Sequence, residues 1–344
     1  MVKRKMSKTK LKPLIGERIA VLGYGSQGRA QAMNLKDSGL KPIIGLPSKS
    51  NSRIKAKADK FEINTPSRAI NGADIIVLLI PDHKHKELFD SLKPNVFDGK
   101  VIVFAHGFSV AFGLIDPPKS CDTVLVAPHG PGIRIREKYI AGESFTSFVG
   151  VGNNFSGEAG QIAKAYATAI GCPVSSQFTT SFRDEAVGDV FGEQAVLCGG
   201  LVGLLETGFE TLVKKGLSPE AAYLECIYQI DLIVDLIKKF GPGGMFDRIS
   251  VTAAYGSLKQ KNKLFDSSYR EKLSKLYGNI ESGKFAKNLL GEYKKGMGDF
   301  NKMISKSKSS EFQKAHDKLQ IKLKPNSQNS DRQSPGVVGK KRKS

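Results

Sequence analysis

The stretch IAVLGYGSQGRAQAMNLKDSG, residues 19–39, narrows the choice of folds more than any other part of the chain. Its first four residues are apolar and read as a buried strand; the alanine-rich segment after Gly28 reads as a helix. Gly23, Gly25 and Gly28 lie between them in G-x-G-x-x-G spacing. Glycines so placed permit a tight turn and let a backbone approach a phosphate. The helix start then offers free N–H groups and the positive end of its dipole. A lone motif of this kind is weak, and a mere tight turn is the competing reading. The strand before it and the helix after it supply the context of a dinucleotide site.

Further strands are expected at 42–46, 74–80, 101–105, 123–127 and 145–151, all rich in Val and Ile. Their near-continuous apolarity suits parallel strands covered on both faces. Helical stretches around 30–35, 88–92 and 157–170 alternate with them, which predicts an α/β domain with a Rossmann-like doubly wound parallel sheet. After CPVSSQFTT (172–180) the texture changes to apolar residues at three- and four-residue spacing, an all-α pattern. Ser218-Pro219-Glu220 opens a long helix expected to reach about Phe240 and stop at Gly241-Pro242-Gly243-Gly244. A chain of 344 residues is long enough for two domains. The expected division is a basic disordered tail at 1–15, a nucleotide domain at 16–181, a helical domain at 182–318 and a second basic tail at 319–344.

The net charge of +20 invites nucleic acid as a partner, but the excess sits at the ends: residues 1–18 and 319–344 each carry +6. These ends are polar and aperiodic, so solvated tails are the main reading and nucleic acid is not the expected partner. Salt-sensitive polyanion contact and a nuclear address at KKRK are weaker readings. The longest apolar runs, such as DIIVLLIP at 74–81, fall short of the roughly 20 residues that cross a bilayer, and no membrane span is expected. No apolar segment follows the basic start, so a cytoplasmic protein is expected. Cys121, Cys172, Cys198 and Cys226 are scattered and read as reduced thiols, with a catalytic thiol as the minority view.

The second strand runs into GLPSKSNSR (45–53). NAD sites usually carry Asp or Glu there for the ribose 2′-hydroxyl. This loop has no acid. Ser48, Ser50 and Ser52, beside Lys49 and Arg53, suit a 2′-phosphate and favour NADP(H); an ordinary polar loop is the alternative. His106 ends the fourth strand, where such sheets bind ligands, so it is expected near the reactive end of the dinucleotide; a structural histidine is the alternative. APHGPG (127–132) ends the next strand and brings His129 to the same side.

GDVFGEQAVLCGG (188–200) puts Asp189 and Glu193 four apart, on one face of a helix, within an apolar surface. Buried carboxylates are costly unless paired or bound to a cation, and an oxygen-only set suits Mg²⁺. AYLECIYQIDLIVDL (222–236) sets Glu225 and Gln229 four apart on a second helix. Solvated helix charges or partners of a helix dipole are the alternative for these four.

Taken together, IAVLGYGSQGRAQAMNLKDSG, FAHGF, AP-x-GPG, DVFGEQAVLCGG, GFETLV, LEC and LIVDLI resemble the short-form ketol-acid reductoisomerases, from residue 19 to about 300. The resemblance implies alkyl migration on an acetohydroxy acid followed by NADPH reduction, with two Mg²⁺ ions, in branched-chain amino acid biosynthesis. It also implies a knotted helical domain that dimerises. Matching positions imply cofactor contacts at Tyr24, Ser26, Gln27, the three loop serines, Asp82, His83, Lys84, His85 and Gly132. They imply a catalytic role for His106, metal carboxylates at Asp189 and Glu193, a metal and substrate acid at Glu225, and a substrate contact at Ser250.

The chain departs from that pattern at four places. His129 stands for a lysine, Gln229 for a glutamate, Ala254 for an acid and Pro47 for an arginine. Gln229 lacks the charge to act as a base and binds Mg²⁺ more weakly. His129 is shorter than lysine. One lost electrostatic contact costs about 10²–10³-fold in rate. A paralogue that only reduces 2-keto acids, and an inactive NADP-binding protein, are therefore alternatives.

Overall fold

The computed structural model describes residues 8–323, which form two compact units. The first unit runs to Gly192 and takes back Lys275–Tyr293; the second holds Glu193–Ser274 and the chain from Lys294 onward.

In the first unit, β1 (Ile19–Leu22) leads through a glycine turn into α1 (Ser26–Asp37). β2 (Ile43–Gly45), α2 (Ser52–Ala58), β3 (Ile63–Asn64), α3 (Pro66–Asn71) and β4 (Ile75–Leu78) follow. Then come α4 (His85–Asp90), β5 (Val101–Phe104), α5 (Phe108–Ala111), β6 (Asp122–Pro128), α6 (Gly132–Ala141), β7 (Ser147–Val151), α7 (Ala159–Ile170) and β8 (Gln177–Thr179). The eight strands make one sheet in the order β3-β2-β1-β4-β5-β6-β7-β8. The order reverses between β1 and β4, so a crevice opens beyond their carboxyl ends, where such sheets take ligands.

The strands are apolar throughout because both faces are covered. Val21, Val77, Val103 and Val124 join Leu35 of α1 and Tyr166 of α7 in one core layer. The alternate residues Leu22, Ile76, Ile102 and Leu125 join Ile70 of α3 in the other. Each fully buried side chain of this size contributes about 1.5–3 kcal/mol. Two strands depart from the expected parallel pattern: β7 is antiparallel to β6, pairing Pro128 with Ser147, and β8 runs parallel to β7. Helix α6 packs beside α1 and returns the chain to the end of β6 that it left. The short strands β3 and β8 are too brief to show periodicity and were not expected.

The remaining helices are α8 (Phe182–Gly192), α9 (Gly199–Lys214), α10 (Pro219–Cys226), α11 (Ile230–Phe246), α12 (Val251–Leu264), α13 (Ser267–Glu281), α14 (Lys284–Lys294), α15 (Gly298–Lys308) and α16 (Glu311–Leu323). A π-helical turn at Glu193–Leu197 joins α8 to α9.

By packing, the first unit takes in α8 beyond the expected boundary at 181, since Val187 and Val190 cluster with Phe108, Ile280 and Ala286. Part of the expected N-terminal tail is folded: Lys8–Leu14 is a 3₁₀ turn that buries Leu11 and Leu14. At the other end α16 runs to Leu323 and buries Leu319, so 319 is not where order stops. Residues 1–7 and 324–344, with the KKRK run, lie outside the described residues.

The helix opened by Ser218 is capped as expected, its hydroxyl accepting the Ala221 amide at 3.3 Å. It ends at Cys226, however, and a second helix starts at Ile230. That second helix continues past Gly241 across a kink (φ 73°) to Phe246. The continuous helical run Phe182–Lys214, 33 residues, is long and apolar enough to cross a membrane, with a mean hydropathy of 1.5 over its best window. Reading uninterrupted apolar letters misses it, because Glu206 and Glu210 interrupt the letters and not the helix.

Candidate active site

The glycine turn divides its tasks among three positions. Gly23 has φ +100°, and a Cβ there would meet the Leu79 carbonyl oxygen at 2.4 Å. A Cβ on Gly28 would meet the Gly23 carbonyl oxygen at 2.4 Å. Nothing lies within 4 Å of a Cβ on Gly25, the residue that begins α1 with no side-chain cap. Two glycines therefore close the backbone on itself. The third leaves room over uncapped amides, the surface a pyrophosphate needs. Ser26 is the first residue of α1.

Other expected cofactor residues make contacts within the protein. Tyr24 is buried, and its hydroxyl donates to Asp59 Oδ2 at 2.8 Å. Gln27 donates to the Gly130 carbonyl at 2.9 Å, and a Cβ on Gly132 would lie 2.2 Å from the Ser26 carbonyl oxygen. The loop after β6 is thus pressed against the glycine turn. Ser48 and Lys49 are exposed in the loop after β2, while Ser50 accepts the Ser52 amide at 3.3 Å and Arg53 donates to the Leu46 carbonyl at 2.9 Å.

In the stretch after β4, His85 is buried, with Nε2 3.1 Å from the Ile80 carbonyl and Nδ1 2.7 Å from Ser109 Oγ. Burial lowers its pKa, so the ring is a neutral prop beneath the stretch. Ser109 Oγ also lies 3.1 Å from Asp82 Oδ1. His83 stacks on Tyr293 of α14 at 3.7 Å between ring centres. Lys84 pairs with Glu87 on the surface.

His106, just past β5, has Nδ1 3.2 Å from both carboxylate oxygens of Glu185 and 3.6 Å from Asp189 Oδ2. Glu185 also accepts the Gly107 amide at 2.6 Å. A Cβ on Gly107 would lie 2.2 Å from the Phe182 carbonyl oxygen, so only glycine lets α8 approach this closely. Burial alone would lower the His106 pKa. The hydrogen bond and charge of Glu185, aided by Asp82 and Asp189, outweigh that and raise it to about 9. Asp189, half exposed, has its carboxyl pKa raised by desolvation. His129 is exposed, with Nδ1 2.9 Å from Thr146 Oγ1.

Glu185 escaped the sequence reading. The sequence carries the signal: acids at 185, 189 and 193 repeat once per helical turn. The expectation that Asp189 and Glu193 are buried is also corrected. Both are exposed, and the buried carboxylate is Glu185. In the second unit, Glu225 and Gln229 do not share a helix face. Glu225 lies in α10, and Gln229 is the last residue of the break at 227–229 that precedes α11. Ser250 caps α12 by accepting the Ala253 amide at 3.2 Å.

Comparison with known proteins bears on what this arrangement serves. Residues 13–175 match the acetohydroxy acid isomeroreductase NADPH-binding domain, and 182–324 the ketol-acid reductoisomerase C-terminal domain. The chain belongs to the ketol-acid reductoisomerase family. It is 43% identical over 306 residues to the ketol-acid reductoisomerase (NADP(+)) of Petrotoga mobilis, covering 89% of this chain and 93% of that one. It also resembles the structure of an NADH-preferring ketol-acid reductoisomerase from an uncultured archaeon. That match has a TM-score of 0.87 and 36% identity, over 90% of this chain and 96% of the other. A semialdehyde dehydrogenase NAD-binding protein from Cupriavidus necator, 18% identical with a TM-score of 0.59, shares the fold; it covers 77% of this chain and all of that one.

For a ketol-acid reductoisomerase, the donor set at the end of β5 is informative. The donor atoms of His106, Glu185 and Asp189 lie within 4.8 Å of one another. Glu185 is engaged by Gly107 and His106, whereas Asp189 keeps an open, partly desolvated carboxylate. A carboxylate whose ionised form is disfavoured gains from a hard cation, so Asp189 fits magnesium; the imidazole does not.

Proposed function

We propose that this chain converts 2-acetolactate and 2-aceto-2-hydroxybutyrate to 2,3-dihydroxy acids by alkyl migration and reduction, using NADPH and magnesium, in valine and isoleucine biosynthesis. The observation that carries the reading is the His106–Glu185–Asp189 cluster at the carboxyl end of β5, in the sheet whose first turn suits a dinucleotide. The loop after β2, without an acid and with Ser48, Lys49 and Ser50, supports NADP(H).

When bound, magnesium supplies Lewis-acid polarisation of the substrate oxygens and NADPH supplies the hydride. Asp189, Glu193 and Glu225 are the carboxylates that would hold the ions, with Gln229 a weaker neutral donor. Glu185 fixes the His106 ring at Nδ1, leaving Nε2 to exchange a proton with a ligand. With its pKa at about 9, His106 is a cation at neutral pH and serves as the proton donor to oxygen. His129 adds a polar ring where the family has an ammonium, and Ser250 a hydroxyl toward the substrate.

We read the partner as a second copy of this chain. Leu197, Leu204 and Leu232 are exposed in the second unit, apolar surface that a homodimer would cover. Glu206 and Glu210 lie in the same helical run, which favours protein over lipid as the covering surface. The four free thiols suit the reducing cytoplasm.

The test supplies purified protein with Mg²⁺ and NADPH, and either 2-acetolactate or the already-migrated 3-hydroxy-3-methyl-2-ketobutyrate. NADPH oxidation with both is the expected result. Oxidation with the second ketone alone would reduce the protein to a keto acid reductase, and silence with both would leave it a nucleotide-binding protein.

A further inference from the structure

The end of α2 is pinned to α1 more firmly than a surface helix requires. Asp59, which follows α2, accepts Arg29 Nε at 2.7 Å and Arg29 Nη2 at 3.0 Å, a two-pronged pair. The same carboxylate accepts the Tyr24 hydroxyl at 2.8 Å. Lys36, in the last turn of α1, donates to the carbonyls of Asp59 and Lys60 at 2.9 and 3.2 Å. Its ammonium also sits 4.7 Å from the Phe61 ring centre, and Phe61 meets Tyr24 edge-on at 5.8 Å.

This pinning holds a strained backbone. Lys60 has φ +60°, a left-handed conformation that a side chain other than glycine's rarely adopts. The turn is closed by the Phe61 amide on the Ala56 carbonyl at 3.1 Å, a glycine-type helix stop made without glycine. Such strain persists where surrounding contacts over-determine it, and it gathers at sites that need a fixed geometry.

What is fixed has a meaning for the cofactor. Tyr24 belongs to the glycine turn itself, and Arg29 lies in the first turns of α1. Helix α2 begins at Ser52, at the end of the loop carrying Ser48, Lys49 and Ser50. A rod of seven residues thus joins the turn that meets the pyrophosphate to the loop that meets the ribose. We propose that Asp59 is a positioning residue for the cofactor's adenosine end, locking the 46–53 loop at the distance from the glycine turn that a 2′-phosphorylated dinucleotide spans. This rests on the NADP(H) reading above. Asp59 touches no ligand atom in this scheme; it acts through α2.

Fluorescence titration of NADPH and NADH into the wild type, Asp59→Asn and Tyr24→Phe tests it. In Asp59→Asn the Kd for NADPH should rise about tenfold and that for NADH less than about threefold, because only NADPH has a 2′-phosphate to misplace. Steady-state rates should show the same split: KM for NADPH rises while kcat at saturation stays within about twofold. Tyr24→Phe, which keeps the ring and removes one hydrogen bond, should shift the NADPH Kd in the same direction by less, and covers the case in which Asp59→Asn does not fold. Thermal melts run alongside separate lost stability from lost positioning. An unchanged NADPH Kd in both variants, or equal losses for the two nucleotides, overturns the proposal. A wild type that binds neither nucleotide would instead sink the NADP(H) reading beneath it.

Discussion

His106 Nδ1 lies 3.2 Å from both carboxylate oxygens of Glu185, residues 79 positions apart in the chain. Glu185 also closes the Gly107 turn, so one buried carboxylate sets both the charge and the orientation of the imidazole. Glu185→Gln can still accept the Gly107 amide but offers the ring no charge. Turnover should fall about 10²–10³-fold, with the melting temperature little changed. Steady-state kinetics beside calorimetry check this; a rate within threefold of wild type would remove Glu185 from the chemistry.

The glycine turn predicts a contrast between two single-methyl changes. Gly25→Ala has an ordinary φ of −77° and open space, so the fold should be unaffected, while the methyl group occupies the phosphate surface. Its NADPH affinity should drop by about tenfold or more. Gly28→Ala drives a methyl into the Gly23 carbonyl and should cost about 1–3 kcal/mol of stability. Denaturant melts and cofactor titration on the pair should separate binding from folding.

Asp59 gives a pH signature. Its hydrogen bonds from Arg29, opposed by burial and aided by Tyr24, hold the carboxyl below its ordinary value. A depressed folded pKa contributes stability that is complete above the unfolded value and disappears as pH falls through the folded one. Wild type should therefore exceed Asp59→Asn by about 1–3 kcal/mol near neutrality. The gap should close below about pH 4. Urea melts across pH 3–8 measure it, and a gap independent of pH would assign the effect to packing.

Asp189 is expected to set the magnesium requirement. Asp189→Asn should raise the half-saturating Mg²⁺ concentration about 10–100-fold in the 2-acetolactate reaction. Chelation should stop that reaction and added Mg²⁺ restore it. An unaltered Mg²⁺ titration would place the ions elsewhere.

Much of the fold was legible because its signals are local. The apolar runs of β1, β4 and β5 show parallel strands buried on two faces, and Gly23, Gly25 and Gly28 show the turn between β1 and α1. Strands of two or three residues, such as β3 and β8, carry no period to detect. The break between α10 and α11 falls at Ile227-Tyr228-Gln229, which holds neither proline nor glycine, so spacing alone put Glu225 and Gln229 on one face. Strand end and helix spacing pointed to His106 and Asp189, which the structure brings within 3.6 Å, while the internal hydrogen bonds of Tyr24, Gln27 and His85 join distant segments and leave no local pattern.

The sequence by itself determined the alternation of the longer strands and helices, the phosphate-binding turn and the family, because each depends on neighbours within a few residues. Tertiary structure alone decided that Glu185 grips His106, that Asp59 ties α2 to α1, and that β7 runs against β6. Those are partnerships between distant segments, settled by which buried charge finds a donor and which helix packs against which strand, and no local period records them.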